Sequence, residues 1–329
     1  MQLMKIKFLY SFDKRTFRYY CYFSSLFLYA SSSFCHGSIA KDQSVWSAWV
    51  YTPVITIPIV FTVLIYAAGV LHRYKQNKPV HPGRIVLFLL GLLFFYIALQ
   101  SPLEPLSDHY FFNHQIEHLI IRMFGPWLLI LSMPMNTLIQ GLPKWIRRGI
   151  LKPILKNRLI YFLYRLFTQP YLATFLFIAT LYVWQIPVLH EQALLNQPLH
   201  DAMHVSMIVT AFFFWWIISD PRRSAARCSY GIRLFLLWAV TTFNSILGSI
   251  ITLTRTLIYE VYDQGINAIP MSAMEDQQYG GVILWVPGGM MGVLGTAVVF
   301  YLWVRDSRRK KRIQARYTHA SRTQTSVVQ

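Results

Sequence analysis

Residues 54–71 read VITIPIVFTVLIYAAGVL, and residues 72–84 read HRYKQNKPVHPGR. The first stretch carries no charge and, at about 1.5 Å of rise per residue, is long enough to cross most of a bilayer's hydrocarbon core of roughly 30 Å. The second places Arg73, Lys75, Lys78 and Arg84 directly after it. An apolar stretch of spanning length closed by a cationic turn is the pattern of a membrane helix ending in the cytoplasm.

The same alternation repeats along the chain. Further apolar stretches lie at about 84–100, 117–139, 171–187, 203–219, 234–258 and 280–304. The cationic segments are 73–84, 144–165, 222–233 and the tail from Arg305. The segments between them, 101–113, 188–201 and 259–278, contain no Lys or Arg and carry Glu104, Asp108, Glu191, Asp201, Glu260, Asp263, Glu275 and Asp276. The positive-inside rule puts the basic segments in the cytoplasm and the acidic ones on the other side. The expected fold is therefore an all-α bundle of seven transmembrane helices, with the mature N-terminus outside and the C-terminus cytoplasmic. Composition agrees, at 55% hydrophobic and 13% charged residues. The net charge of +18 is spread over four loops rather than one face, which argues for topology and against nucleic acid as a partner.

Three regions follow. Residues 1–40 combine basic residues, a short apolar run and Ser38-Ile39-Ala40, as in a signal peptide cleaved after Ala40, with an uncleaved extra span as the alternative. Residues 41–305 form the membrane domain. Residues 306–329 are a basic cytoplasmic tail, expected to be disordered beyond the lipid surface. Within the domain, 144–167 alternates basic and apolar residues around Pro153 and reads as a broken amphipathic helix along the cytoplasmic interface.

The chemistry concentrates in histidine. His114/His118 and His200/His204 are each spaced i, i+4, which stacks two imidazoles on one helix face. Ten histidines in 329 residues give about 0.3 such pairs by chance, and the arrangement is a known metal-binding one. Both pairs open apolar stretches that run inward from the acidic side, so both occupy the outer mouth of the bundle. Glu117, Met203, Met207, Asp276 and His109 are accessory candidates. If the leader is removed, Cys228 in a cytoplasmic loop is the remaining cysteine, so an outer metal would be held without thiolate. Imidazole with thioether suits copper. A haem held by two of the histidines and a purely structural role both stay open. His190 reads as exposed loop, like His109. His72 and His81 read as solvated. Arg122 and Arg255 fall within apolar stretches and are expected to pair with carboxylates such as Glu117, Glu260 or Asp276. The glycines of 280–295 are expected to permit close helix packing. No nucleophile–base pair, phosphate loop or paired-carboxylate centre is present, and the reading is of a protein that is not an enzyme.

Several strings carry a resemblance. They are SPLEPLSD at 101–108 before His114-xxx-His118; WQIP at 184–187; His200-xxx-His204 before FWW at 214–216; and DQQYGG at 276–281 leading to WVPGG at 285–289. Together, over about residues 54–305, they resemble the CtaG-like multi-span cytochrome c oxidase assembly factors of the bacillar type, which are distinct from the single-span copper chaperone sharing that name. The resemblance implies a role in maturing a haem–copper oxidase, with its subunits and the lipid bilayer as partners and with copper handling as the activity. It also implies a histidine, in many members, where this chain has Gln185.

Overall fold

The computed structural model describes residues 49, 51–220, 228–263 and 269–326. The leader expected at 1–40 lies outside them. Among the described residues the chain is helical, without strands. Five helices are long and apolar enough to cross a membrane: α1 (Pro53–Lys75), α2 (Pro82–Gln100), α11 (Gln197–Ser219), α12 (Tyr230–Leu253) and α13 (Ala273–Ser326). Two bent pairs raise the number to as many as seven.

The first bent pair holds the first of the two histidine pairs, His114 and His118. After the short α3 (Leu103–Ser107), α4 (Phe111–Leu119) runs through a π-helical turn (Ile120–Phe124) into α5 (Gly125–Ser132). The chain then turns through 71° at Met133, a left-handed residue at φ 49°, into α6 (Met135–Gly141). The π turn follows from Pro126 at the head of α5. A proline has no N–H for the carbonyl four residues earlier, that of Arg122, and the helix widens there. Trp215 Nε1 fills the gap by donating to the Arg122 carbonyl at 3.2 Å. One proline thus both distorts the helix below His118 and ties it to α11.

A π turn (Ile146–Leu151), α7 (Lys152–Lys156) and α8 (Arg158–Phe167) form the expected broken amphipathic segment. Its sharp break falls at Asn157, which caps α8 by accepting from Leu159 N, whereas Pro153 follows the π turn within continuously helical backbone, as Pro126 does. α8 meets α9 (Pro170–Trp184) at 72°. α10 (Pro187–Leu195) follows, so Pro187 starts a helix outside the span instead of ending the span.

The core lies between α2, the α4–α5 span, α9 and α11. Of the five long helices α11 is the most enclosed, and it packs on α5, α9 and α10. Polar side chains fix its rotation: Trp127 Nε1 donates to Ser219 Oγ at 2.8 Å, Trp184 Nε1 to Ser206 Oγ at 2.9 Å, and the Thr180 and Thr210 hydroxyls meet at 3.2 Å. In a membrane, where the apolar effect does not discriminate helix from lipid, such bonds set which face looks inward. Arg233 closes the other end by donating to the Ile218 and Asp220 carbonyls that α11 leaves unpaired.

α12 and α13 approach closely, as expected of the glycines. A Cβ at Gly248 would stand 2.7 Å from the Gly281 carbonyl oxygen, and one at Gly280 would run into the Phe111 ring. α13 does not stop at the membrane. Its 54 residues reach far past a core of about 30 Å, so residues 306–326 are helical where disorder was expected. Asp306 and Lys310 pair there at 3.9 Å, one turn apart, among residues of high helix propensity.

Candidate metal centre

α4 and α11 carry the same stripe. On α4 it is Phe111, His114, Gln115 and His118; on α11 it is His200, Met203, His204 and Met207. The spacing i, i+3, i+4, i+7 puts each set on one helix face, and all eight residues are buried. Both helices begin earlier than the apolar stretches do, α4 at Phe111 and α11 at Gln197, because buried polar residues such as Asn113, His114 and His200 interrupt the apolar run without ending the helix. The histidines consequently lie within helices, not at their openings.

The stripes meet. Ring centroids are 4.2 Å apart for His114–His118, 4.3 Å for His200–His204, 5.4 Å for His118–His204 and 5.5 Å for His114–His200. One nitrogen each from His114, His118 and His204 falls within 4.8 Å of the others. Four histidines expected at one site are thus brought together, with His200 stacked against the trio rather than in it. Neither ring nitrogen of His114 or His118 has a hydrogen-bond partner. A buried imidazole without partners forgoes about 1–3 kcal/mol per unmet group, a cost that a ligand would remove. Glu117, fully buried, has Oε1 at 3.6 Å from His204 Nδ1. That is the side from which a carboxylate orients a ligating histidine.

The accessory candidates separate. Met203 and Met207 are buried in the apolar cluster next to the site with Phe111, Tyr259 and Tyr262. Asp276 is spoken for: its Oδ2 accepts from Phe111 N at 2.7 Å and its Oδ1 from Phe112 N at 2.8 Å. It holds the start of α4 from the first turn of α13, where a carboxylate also meets the positive end of the helix dipole. Gln277 beside it binds the Ile258 and Tyr259 amides and the Thr256 carbonyl. The Asp-Gln pair is therefore a clamp that sets α4 and the 256–259 strand of loop. His109 is half-buried and makes none of the ring contacts of the cluster. His72 and His81 are exposed and bond locally, to Gln76 and to Gly83 N.

Two expectations about cations are corrected. Arg122, buried one turn below His118, is held not by a carboxylate but by the Phe177 carbonyl, with its guanidinium 3.9 Å over the Phe177 ring. A backbone acceptor and a π-face spare Arg122 the need for a buried counter-charge. Arg255 lies beyond the end of α12 and is exposed.

His190 is the residue that sequence reasoning missed. It was expected in an exposed loop; it is fully buried on α10, with its ring 4.9 Å from that of His114. Nδ1 lies 3.0 Å from the Trp184 carbonyl and Nε2 2.8 Å from the Tyr262 hydroxyl. Burial depresses its pKa to about 4, so the ring is neutral. It has no i, i+4 partner, and the tertiary fold alone brings it to the cluster. Gln185 sits in an adjoining network, donating to Gln115 Oε1 at 3.0 Å and accepting from the Tyr259 hydroxyl at 2.9 Å.

A family model described as cytochrome c oxidase caa3 assembly factor (Caa3_CtaG) matches residues 64–306. The chain belongs to that family. The matched segment contains every histidine of the cluster and the Asp276–Gln277 clamp. Among the relatives are uncharacterized proteins of Mycobacterium bovis and Mycobacterium tuberculosis, each 25% identical over 286 residues, which cover 83% of this chain. Another, from Mycobacterium leprae, is 22% identical over 280 residues and 80% of the chain. The match spans only 41%, 41% and 40% of the length of these relatives. No solved structure matches.

Proposed function

We propose that this protein assists assembly of a haem–copper oxidase of the caa3 type by holding copper at the His114–His118–His204 cluster and passing it to an oxidase subunit. The observation that carries the reading is the convergence of three imidazoles from two helices, with ring nitrogens of His114 and His118 left without hydrogen bonds. His200 and the thioethers of Met203 and Met207 are soft or borderline donors on the same stripe of α11. They suit copper better than a hard cation. Copper is cargo here, and its release proceeds by ligand exchange.

Haem is the weaker reading. Imidazoles of the two helices touch ring to ring, edge on face for His118 and His204. That contact occupies the space a porphyrin between two axial histidines would need.

In cells deleted for the protein and complemented with a His114/His118/His200/His204→Ala variant, oxidase activity is expected to stay at the deletion level and to rise with added copper. Full activity of the variant without added copper would contradict the proposal and favour a metal-free scaffold. The charge asymmetry supports a site that opens to the periplasm. Reporter fusions at Asp108 and Asp263 are accordingly expected to be active only in a periplasmic assay, and fusions in the tail only in a cytoplasmic one. A periplasmic tail would reverse the orientation.

A further inference from the structure

The five buried imidazoles are not equivalent. His114 contacts all four others, and His190 reaches the group through His114 and from a different helix, α10. A carbonyl accepts only, so the Trp184 oxygen fixes the proton of His190 on Nδ1. Nε2 then bears the lone pair and accepts from the Tyr262 hydroxyl. A backbone carbonyl on one ring nitrogen is how proteins preset a histidine to ligate through the other. At His190 that other nitrogen is covered by a phenol. Tyr262 is itself buried, yet its neighbours Glu260 and Asp263 are exposed. The phenol therefore stands between the cluster and an acidic surface loop.

We infer that His190 is a masked transfer ligand: copper held at the histidine cluster leaves through His190 Nε2 when Tyr262 lets go, and moves on toward the loop at 259–263. The inference rests on the copper reading of the cluster. In the step, the bond from copper to a His114 nitrogen breaks as one to His190 Nε2 forms. The Tyr262 hydroxyl keeps its proton and turns to another acceptor, and the oxidation state of copper is unchanged. The Trp184 carbonyl holds the His190 ring in place throughout. Phe111, stacked on Tyr259 at 4.3 Å and edge-on to His190 and Tyr262, keeps the surroundings apolar, so an ion gains nothing by leaving except along the nitrogens.

The test uses the full chain in lipid nanodiscs, loaded with Cu(I) alone and mixed in a stopped-flow instrument with bicinchoninate, whose copper complex is coloured. His190→Phe preserves the aromatic box and removes both nitrogens. It is expected to bind as much Cu(I) as the unaltered protein and to release it about tenfold more slowly or worse, the scale on which preset ligands act. Tyr262→Phe uncovers Nε2 and is expected to speed release. It also decides the matter if His190→Phe does not fold. Unchanged release rates in both variants would overturn the inference, as would loss of bound Cu(I) from His190→Phe at equilibrium, which would make His190 a resident ligand. Failure of the unaltered protein to bind Cu(I) would instead remove the copper reading beneath it.

Discussion

Substituting His118 by alanine is expected to remove most of the copper binding proposed for the purified protein, and adding His204→Ala to remove little more. The two residues sit on different helices, α4 and α11, with ring centroids 5.4 Å apart and ligand nitrogens within the same 4.8 Å group. Ligands of one ion act as a unit, so the second loss finds almost nothing left to weaken. Affinity in each single variant is expected to fall by about 100-fold, the upper end of what loss of even an orienting partner costs. Additive losses would mean two independent sites. Titration of the three variants with a competing Cu(I) chelator distinguishes these outcomes.

The second large effect is structural. Asp276→Ala removes a carboxylate that takes two backbone N–H groups at the head of α4, the buried one of Phe111 at 2.7 Å and the partly buried one of Phe112 at 2.8 Å. Hydrogen bonds to charged groups contribute about 1.5–3 kcal/mol each, and the Phe111 amide would be left buried without its carboxylate acceptor. The variant is expected to lose roughly 3–6 kcal/mol on the same scale, enough to unfold a protein of ordinary stability. Asp276→Asn, which keeps one oxygen acceptor, is expected to fall between the two. Thermal melting in detergent, followed by a thiol-reactive dye at Cys228, measures the order. If Asp276→Ala melts with the unaltered protein, the carboxylate is not what sets α4.

The membrane class was legible because its signal is local: uncharged runs separated by loops of one charge sign. The pairing of His114 with His118 and of His200 with His204 was legible for the same reason, since i, i+4 neighbours share a face whatever the tertiary fold. Helix ends were less so. An apolar window stops at the first polar residues, and it placed the start of one span at 203 although α11 begins at Gln197, six residues earlier, and already carries the buried His200. Residues whose role depends on distant contacts were misread. Asp276 had the composition of a ligand, but its oxygens go to amides 165 and 164 residues away. His190 has no helical partner and is recruited by Tyr262, 72 residues on. Arg122 was assigned a carboxylate because a buried cation needs compensation, and a carbonyl with an aromatic face supplies it instead.

The central claim is that the cluster on α4 and α11 is a copper site. The most direct measurement is copper content, with X-ray absorption at the copper edge, on protein purified from copper-replete membranes and on the His114/His118/His200/His204→Ala variant. The account predicts stoichiometric copper with imidazole scattering in the unaltered protein and none in the variant. Copper retained by the variant, or absent from a correctly folded unaltered protein that supports oxidase assembly, would contradict it.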